Sequence, residues 1–210
     1  MPFVIAVDGP AASGKGTVAG ALARHFGLPY LDTGLLYRAV GTGVQDLGGD
    51  LSDEAIAAKV AQELEPEALD NPTLRTRAAG EAASRVAVYA PVRDALLAFQ
   101  RSFAGQASGA VLDGRDIGTV IVPAASAKLF VTATPQVRAE RRWKQLAGQG
   151  ETVGLDEVLA DIRMRDERDS GRAAAPLVQA ADAHLLDTSE MTIDTAFREA
   201  LRLVEQMRGS

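Results

Sequence analysis

The sequence predicts an α/β fold organised around a phosphate-binding loop, and three features carry that reading. The apolar run Val4, Ile5, Ala6 and Val7 is long enough for one buried strand, and it leads into a turn that opens at Gly9 and closes at Gly14-Lys15-Gly16-Thr17. Helical spacing follows at once in Ala19, Leu22, Ala23 and Phe26. Further short apolar runs at 110–113, 128–133 and 183–186 alternate with helical patterns, as an α/β domain requires. Strand, glycine loop and helix stand in the order in which backbone N–H groups can cradle a phosphate. The helix dipole adds positive potential there, and the Lys15 ammonium can reach the terminal phosphates. Glycine is expected at 14 and 16 because the backbone must curl with no Cβ in the anion's way. The plainer alternative, a glycine-rich turn capping an ordinary helix, leaves the lysine and the preceding strand unexplained. One departure stands out: the general pattern has Ser or Thr directly after the lysine, whereas here Gly16 holds that place and Thr17 follows.

Bulk properties narrow the class. A chain of 210 residues, 47% hydrophobic and 24% charged, fits one domain. At this length about 70% of the unfolded chain's surface can be buried, so no disulfide or structural metal is needed. The absence of cysteine excludes a Cys nucleophile or a Cys-rich zinc site and fits a reducing compartment. A net charge of −6 argues against a broad nucleic-acid surface, so the arginines must act as local clusters. The N-terminus has no basic n-region and Asp8 interrupts its apolar run, so no signal peptide is expected. No stretch approaches the length that spans a bilayer. A soluble cytoplasmic protein with no membrane partner is expected.

Taken in order, Gly27-Leu28-Pro29 stops the first helix and Tyr30-Leu31-Asp32 reads as a short strand. A helix is expected from Leu35, Leu36, Ala39 and Val40, with Tyr37 and Arg38 near its start. The segment DTGLLYR places a carboxylate, a hydroxyl, an aromatic and a guanidinium just past a strand end, where ligands bind in open α/β sheets. Its alternative is an N-capping Asp or Thr before a half-buried Tyr. An amphipathic helix follows over 53–64, capped by Ser52 or Asp53, then an acidic, breaker-rich solvated loop over 65–72. Residues 76–90 read as an Ala-rich helix ended by Pro91, and 92–104 as another.

The strand at 110–113 ends in Asp113, and an acid at such a place in a phosphate-loop protein commonly faces Mg²⁺, directly or through water. Arg115 and Asp116 then sit at the sheet's carboxyl edge. Residues 117–122 are apolar up to Pro123, a buried strand follows at 128–133, and Pro135 opens a helix. On that helix Arg138, Arg141 and Arg142 share a face. A glycine-bearing polar loop spans 148–154, and a helix over 155–169 turns Leu155, Val158, Leu159 and Ile162 to one side. Its far end brings Arg165, Arg168, Asp169 and Arg172 to one face. Helix, short loop and helix with arginines at both bases suggest a small lid; the alternative is a solvated helix pair stitched by surface ion pairs, since Asp161, Asp166 and Glu167 are interleaved. A strand at 183–186 precedes a helix capped by Thr192 and bearing Ile193, Phe197, Leu201 and Val204. His25, His184 and Trp143 read as structural.

With GPAASGKGT, DTGLLYR, DGRDIGT and RDERDSGRAAAPL in this order, the chain resembles the bacterial cytidylate kinases, among the nucleoside monophosphate kinases of the P-loop class, nearly end to end. The Lys-Gly-Thr ending is that of this wider group, so Thr17 would take the phosphate contact. The resemblance implies one P-loop kinase domain over 1–210, with a five-stranded parallel sheet flanked by helices. Its core would be 1–34, 105–141 and 157–210, with a monophosphate-binding insertion over about 35–104 and a short helical lid over about 142–156. The implied reaction is phosphoryl transfer from ATP to CMP or dCMP with Mg²⁺, by a monomer.

Carried over motif by motif, Gly9, Pro10, Ala11, Ala12, Ser13, Gly14, Lys15, Gly16 and Thr17 would hold ATP, with Arg138 and Arg141. Lys15, Arg115, Arg142 and Arg172 would be catalytic, and Asp113 would serve the metal. Ser84, Arg93 and Asp116 resemble the cytosine contacts, Arg165 and Asp169 the sugar contacts, and Thr33, Tyr37, Arg38, Arg115 and Arg172 the acceptor-phosphate set. Cytosine offers an amino donor, a ring-nitrogen acceptor and a carbonyl acceptor. An Asp that accepts and an Arg and Ser that donate satisfy that edge, whereas uracil would set a carbonyl against the Asp. The longer bacterial enzymes carry a β-rich stretch in the insertion, for which LEPEALDNPTLRTRAAGEAASRV is too short. Two rivals remain at this point: a P-loop kinase for a small hydroxy acid or sugar, which would need a general base, and a non-catalytic nucleotide switch, which would lack an acceptor site.

Overall fold

The structure, a computed structural model, describes residues 2–209; Met1 and Ser210, the outermost residues of the expected 1–210 domain, lie outside it. Strand β1 (Val4–Asp8) runs through the phosphate loop into α1 (Lys15–Phe26), then β2 (Tyr30–Asp32) and α2 (Thr33–Asp46) follow. Helices α3 (Glu54–Gln62), α4 (Arg77–Val86) and α5 (Ala90–Ala104) lead to β3 (Ala110–Gly114), a π-helical turn at Ile117–Ile121, and β4 (Ala127–Thr132). Helices α6 (Pro135–Gly148) and α7 (Leu155–Ser170), strand β5 (His184–Asp187) and α8 (Ile193–Arg208) complete the chain.

The strands pair in the order β2-β3-β1-β4-β5, every pair parallel. This is the five-stranded parallel sheet flanked by helices that the resemblance implies. Along β1, Ile5 and Val7 face a core shared with Val18, Leu22, Leu129, Leu186 and Val204, from α1, β4, β5 and α8. Val4 and Ala6 face the other core, with Leu36, Val40, Leu96 and Leu112 from α2, α5 and β3. Alternate residues of one strand thus serve opposite layers, and each fully buried Ile or Leu contributes about 1.5–3 kcal/mol. A third cluster, Ala11, Ala139, Leu146, Val158 and Ile162, ties the phosphate loop to α6 and α7.

Several local expectations shift. Helix α2 begins at Thr33, because the Asp32 carboxylate accepts from Gly34 N at 3.0 Å and caps it. Asp53, rather than Ser52, caps α3 through Ala55 N and Ile56 N. The 65–72 stretch is not a plain loop but enters two 3₁₀ turns, Pro66–Asp70 and Pro72–Arg75. Pro91 begins α5 rather than ending the previous helix, since the first turn of a helix has no use for the N–H that proline lacks. Among the described residues no strand lies between β2 and β3. No helix there is long and apolar enough to cross a membrane. Thr192 caps α8 through Thr195 N, and His25 packs edge-on against Phe26 and Phe197.

Candidate active site

The loop between β1 and α1 curls through three left-handed or near left-handed residues. Gly9 has φ 153°, Ala12 φ 58° and Gly14 φ 90°. A Cβ on Gly9 would run into the Val131 carbonyl, so only glycine lets the loop leave β1 beside β4. Gly16 is different from expectation: it lies in the first turn of α1, and a Cβ there would make ordinary contacts, 3.4 Å from Tyr30 Oη and 3.6 Å from an Asp113 oxygen. No side chain caps α1, which leaves its first-turn N–H groups for the cleft that Gly14, Lys15, Gly16 and Thr17 line.

That cleft has a volume of about 740 Å³ and opens at the carboxyl ends of β1, β2 and β3. Parallel register sets Asp32 beside Asp113 at its floor. Asp113 is buried; Tyr30 Oη donates to its Oδ1 at 2.7 Å, and Lys15 Nζ stands 3.9 Å from its Oδ2. Burial, then the charge of Asp32, pushes the Asp113 carboxyl above the ordinary range. Burial and the neighbouring Arg115 push the Lys15 ammonium down. The buried Asp113, the half-buried Asp32 and the Thr17 hydroxyl line the cleft together and are the hard oxygen donors that Mg²⁺ takes. Among the described residues there is no group of three or more His, Asp or Glu placed to hold a metal ion.

The walls are cationic. Arg38, Arg115, Arg142, Arg165 and Arg172 all line the cleft. Burial, then Arg142, lowers Arg38 to about 10; burial, then Arg115 and Arg38, lowers Arg165 to about 10. Arg142 is lowered by burial and by Arg165, and Arg172 chiefly by burial. Arg115 goes the other way: burial works against it, but the charge and 2.7 Å hydrogen bond of Asp169 raise it. The same contact holds the Asp169 carboxyl below the usual range in spite of its burial. Arg172 Nη2 is buried without a protein partner. The cleft thus carries more positive charge than its own carboxylates balance.

At the far end, Asp116 and Arg93 are 5% and 7% exposed and form a buried ion pair, Arg93 Nη2 to Asp116 Oδ2, with the Arg93 guanidinium 5.7 Å from the Tyr37 ring centre. Ser84 lines the same end and accepts from Arg168 Nη1 at 2.9 Å. Thr33 also lines the cleft, its hydroxyl donating to the Asp113 carbonyl.

Of the residues expected to hold ATP, Gly9, Pro10 and Ser13 are not part of the cleft lining, and two arginines stand behind the loop rather than in it. Arg138 is buried, its guanidinium bound to the carbonyls of Ala133 and Ala11 and in two bonds to Asp166. Arg141 donates to the Thr188 hydroxyl and carbonyl and to the Ser13 carbonyl. Both brace the loop against α6. The α6–α7 pair is closed onto α4: Arg77 pairs with Glu157 and Asp161, each at 2.7 Å, and Arg168 with Glu81 at 3.0 Å. Arg165 Nη2 donates to the Gly80 carbonyl. Trp143 Nε1 donates to the Val153 carbonyl and pins the loop joining the two helices.

Sequence reasoning missed Tyr30 and Asp8 as parts of this machinery, and gave the Asp32 carboxylate of DTGLLYR no part in holding the metal. Asp8 ends β1 and is buried, accepting from Ile117 N and Gly118 N at 2.8 Å each; burial raises it to about 6, against those two donors. The signal was available, for an acid closing an apolar strand had already singled out Asp113.

Comparison with known proteins identifies the family. A family model described as cytidylate kinase matches residues 5–206. A cytidylate kinase of Caulobacter sp. (strain K31) is 65% identical over 209 residues, covering 100% of this chain and 97% of that protein. One of Xanthobacter autotrophicus (strain ATCC BAA-1158 / Py2) is 63% identical over 207 residues, covering 99% of each. Solved structures similar in fold include a gluconokinase from Sinorhizobium meliloti 1021, at TM-score 0.53 and 16% identity over 99% of this chain and 94% of that one. A sugar kinase from Janibacter sp. HTCC2649 gives 0.51 and 13%, over 100% and 98%. At such identities these two show the fold alone. With end-to-end identity above 60% to these two relatives and a family model that matches nearly the whole chain, the chain belongs to the cytidylate kinase family.

Proposed function

We infer that this protein transfers the γ-phosphoryl group of ATP to CMP and dCMP, giving CDP and dCDP. The observation that carries the reading is the joining of Lys15 and six arginines, Arg75 among them, in one cleft with the Arg93–Asp116 pair at its far end. That set suits two phosphate chains meeting head to head, one of them carrying a base with an amino edge.

The loop amides and Lys15 hold the β- and γ-phosphates of ATP, with Arg138 and Arg141 fixing the loop from behind. Arg38, Arg115 and Arg172, with Thr33 and Tyr37, hold the acceptor phosphate; Arg165 and Asp169 hold the sugar. Ser84, Arg93 and Asp116 read the base. The acceptor is already an anion, so no general base is needed, and the protein's part is alignment and charge stabilisation. Arg142, on α6, supplies positive charge at the transferring group. Asp113, with Asp32 and Thr17 beside it, would hold Mg²⁺ directly or through water, and that ion would neutralise charge on the phosphates when bound. The insertion over about 35–104 carries the acceptor side, and the lid over about 142–156 closes upon it through Glu151, whose carboxylate accepts from Arg77 N at 3.3 Å, excluding water that would otherwise compete as acceptor. A cytoplasmic location goes with nucleotide substrates and a chain without cysteine.

The test is ADP formation from Mg-ATP against CMP, dCMP, UMP, AMP, GMP and no acceptor. Turnover with CMP and dCMP and little with UMP is the expected result. Turnover with none of the monophosphates would overturn the reading.

A further inference from the structure

Asp116 precedes the π-helical turn at Ile117–Ile121, the place from which an Asp ordinarily caps the helix that follows it. It does not do so: no side-chain hydrogen bond from Asp116 caps the turn, and its carboxylate is directed to Arg93. The two leading amides are served from another strand altogether. Asp8, at the end of β1, takes Ile117 N on Oδ1 and Gly118 N on Oδ2. The fit is close, for a Cβ on Gly118 would stand 3.4 Å from Asp8 Oδ2 and 3.1 Å from Lys128 Cδ.

We propose that Asp8 is a positioning residue for base selection: by capping the 117–121 turn in place of Asp116, it frees the Asp116 carboxylate to face the nucleotide base. The proposal rests on the reading of Asp116 as the group that accepts from cytosine. Two buried backbone amides must find an acceptor. If Asp8 is removed, the acceptor next to them in the chain is Asp116 itself, which then turns from the base to cap its own helix. A purely structural Asp8 would instead weaken the fold and slow every acceptor alike.

The test compares Asp8→Asn, Asp8→Ala, Asp116→Asn and the double variant Asp8→Asn/Asp116→Asn, measuring kcat and KM for CMP, UMP and ATP. Asp8→Asn keeps the shape and one acceptor oxygen, and carries the test should Asp8→Ala fail to fold. The expected result is a fall of roughly tenfold in the CMP-over-UMP ratio of kcat/KM, about one hydrogen bond's worth, taken in KM for CMP with KM for ATP unchanged. The double variant should show the ratio of Asp116→Asn alone. A ratio lowered by Asp116→Asn but untouched by Asp8→Asn overturns the role of Asp8 and leaves the base site standing. A ratio untouched by Asp116→Asn overturns the base site itself, and the role of Asp8 with it.

Discussion

Asp116→Asn removes one charge from the end of the cleft that is proposed to hold the base while keeping its shape, and its consequences can be worked from the buried pair. Towards CMP the change replaces a charged acceptor by an amide. A hydrogen bond to a charged group is worth about 1.5–3 kcal/mol, which corresponds to a loss of roughly 10- to 100-fold in kcat/KM. Towards UMP the sign reverses, because the new NH₂ group can donate to the uracil carbonyl that the carboxylate opposed. The CMP-over-UMP ratio should therefore fall by a factor on the order of 10². Stability changes as well. Arg93 is 7% exposed and its partner 5%, so the guanidinium is left with a neutral neighbour in a dry site. Breaking such a pair costs about 3 kcal/mol at the lower end of the usual range, or roughly 6–12 °C in Tm for a chain of this size. The assay is initial-rate ADP formation with each acceptor, together with thermal unfolding. A drop in Tm with an unchanged CMP-over-UMP ratio would refute the reasoning, since Asp116 would then be only the counter-ion of Arg93.

Three further outcomes are expected. Lys15→Met should lower kcat by a factor on the order of 10³ with thermal unfolding little changed, because what is lost is charge stabilisation of the transferring group; a near-normal rate would sink the assignment. Gly9→Ala should destabilise the fold by about 3 kcal/mol, since its Cβ meets the Val131 carbonyl at a φ that only glycine adopts freely, and an unshifted urea midpoint would contradict the loop's geometry. Arg115→Met removes the cation that holds Asp169 low. A carboxyl with a depressed folded pKa adds stability above its unfolded value, about 3.9, and loses it as pH falls through the folded value. The stability deficit of Arg115→Met should thus be largest at pH 7 and shrink below about pH 4; a deficit that is the same at both would show that the pair contributes nothing through charge.

Much of the molecule was legible in short stretches of chain because its signals are local. The loop is announced by Gly9 and Gly14-Lys15, and the floor of the cleft by Asp113 closing an apolar strand. The caps at Asp53 and Thr192 lie within three residues of the amides they serve. Where reading failed, the signal was local but ambiguous. Proline punctuates a helix at either end, and Pro91 was read as a stop when it was a start. The segment DTGLLYR posed a choice between capping and binding, and the structure shows that the two are compatible: Asp32 caps α2 while Tyr37 and Arg38, one turn further, line the cleft.

By itself, then, the sequence determined the α/β class and the phosphate loop, since each depends on spacing along one strand, turn or helix, and its four motifs carried the resemblance to the family. Tertiary structure alone decided how those residues divide their work. Arg138, Arg141 and Arg142 are indistinguishable as neighbours on one helical face. Yet α7 offers Asp166 to Arg138, the loop after β5 offers Thr188 to Arg141, and Arg142 is left to the cleft. Likewise Asp8 and the 117–118 amides meet across 109 residues only because β1 lies between β3 and β4. Which donor meets which acceptor at such separations is set by strand order and by the cost of leaving a buried polar group unpaired, and no window of sequence contains both partners.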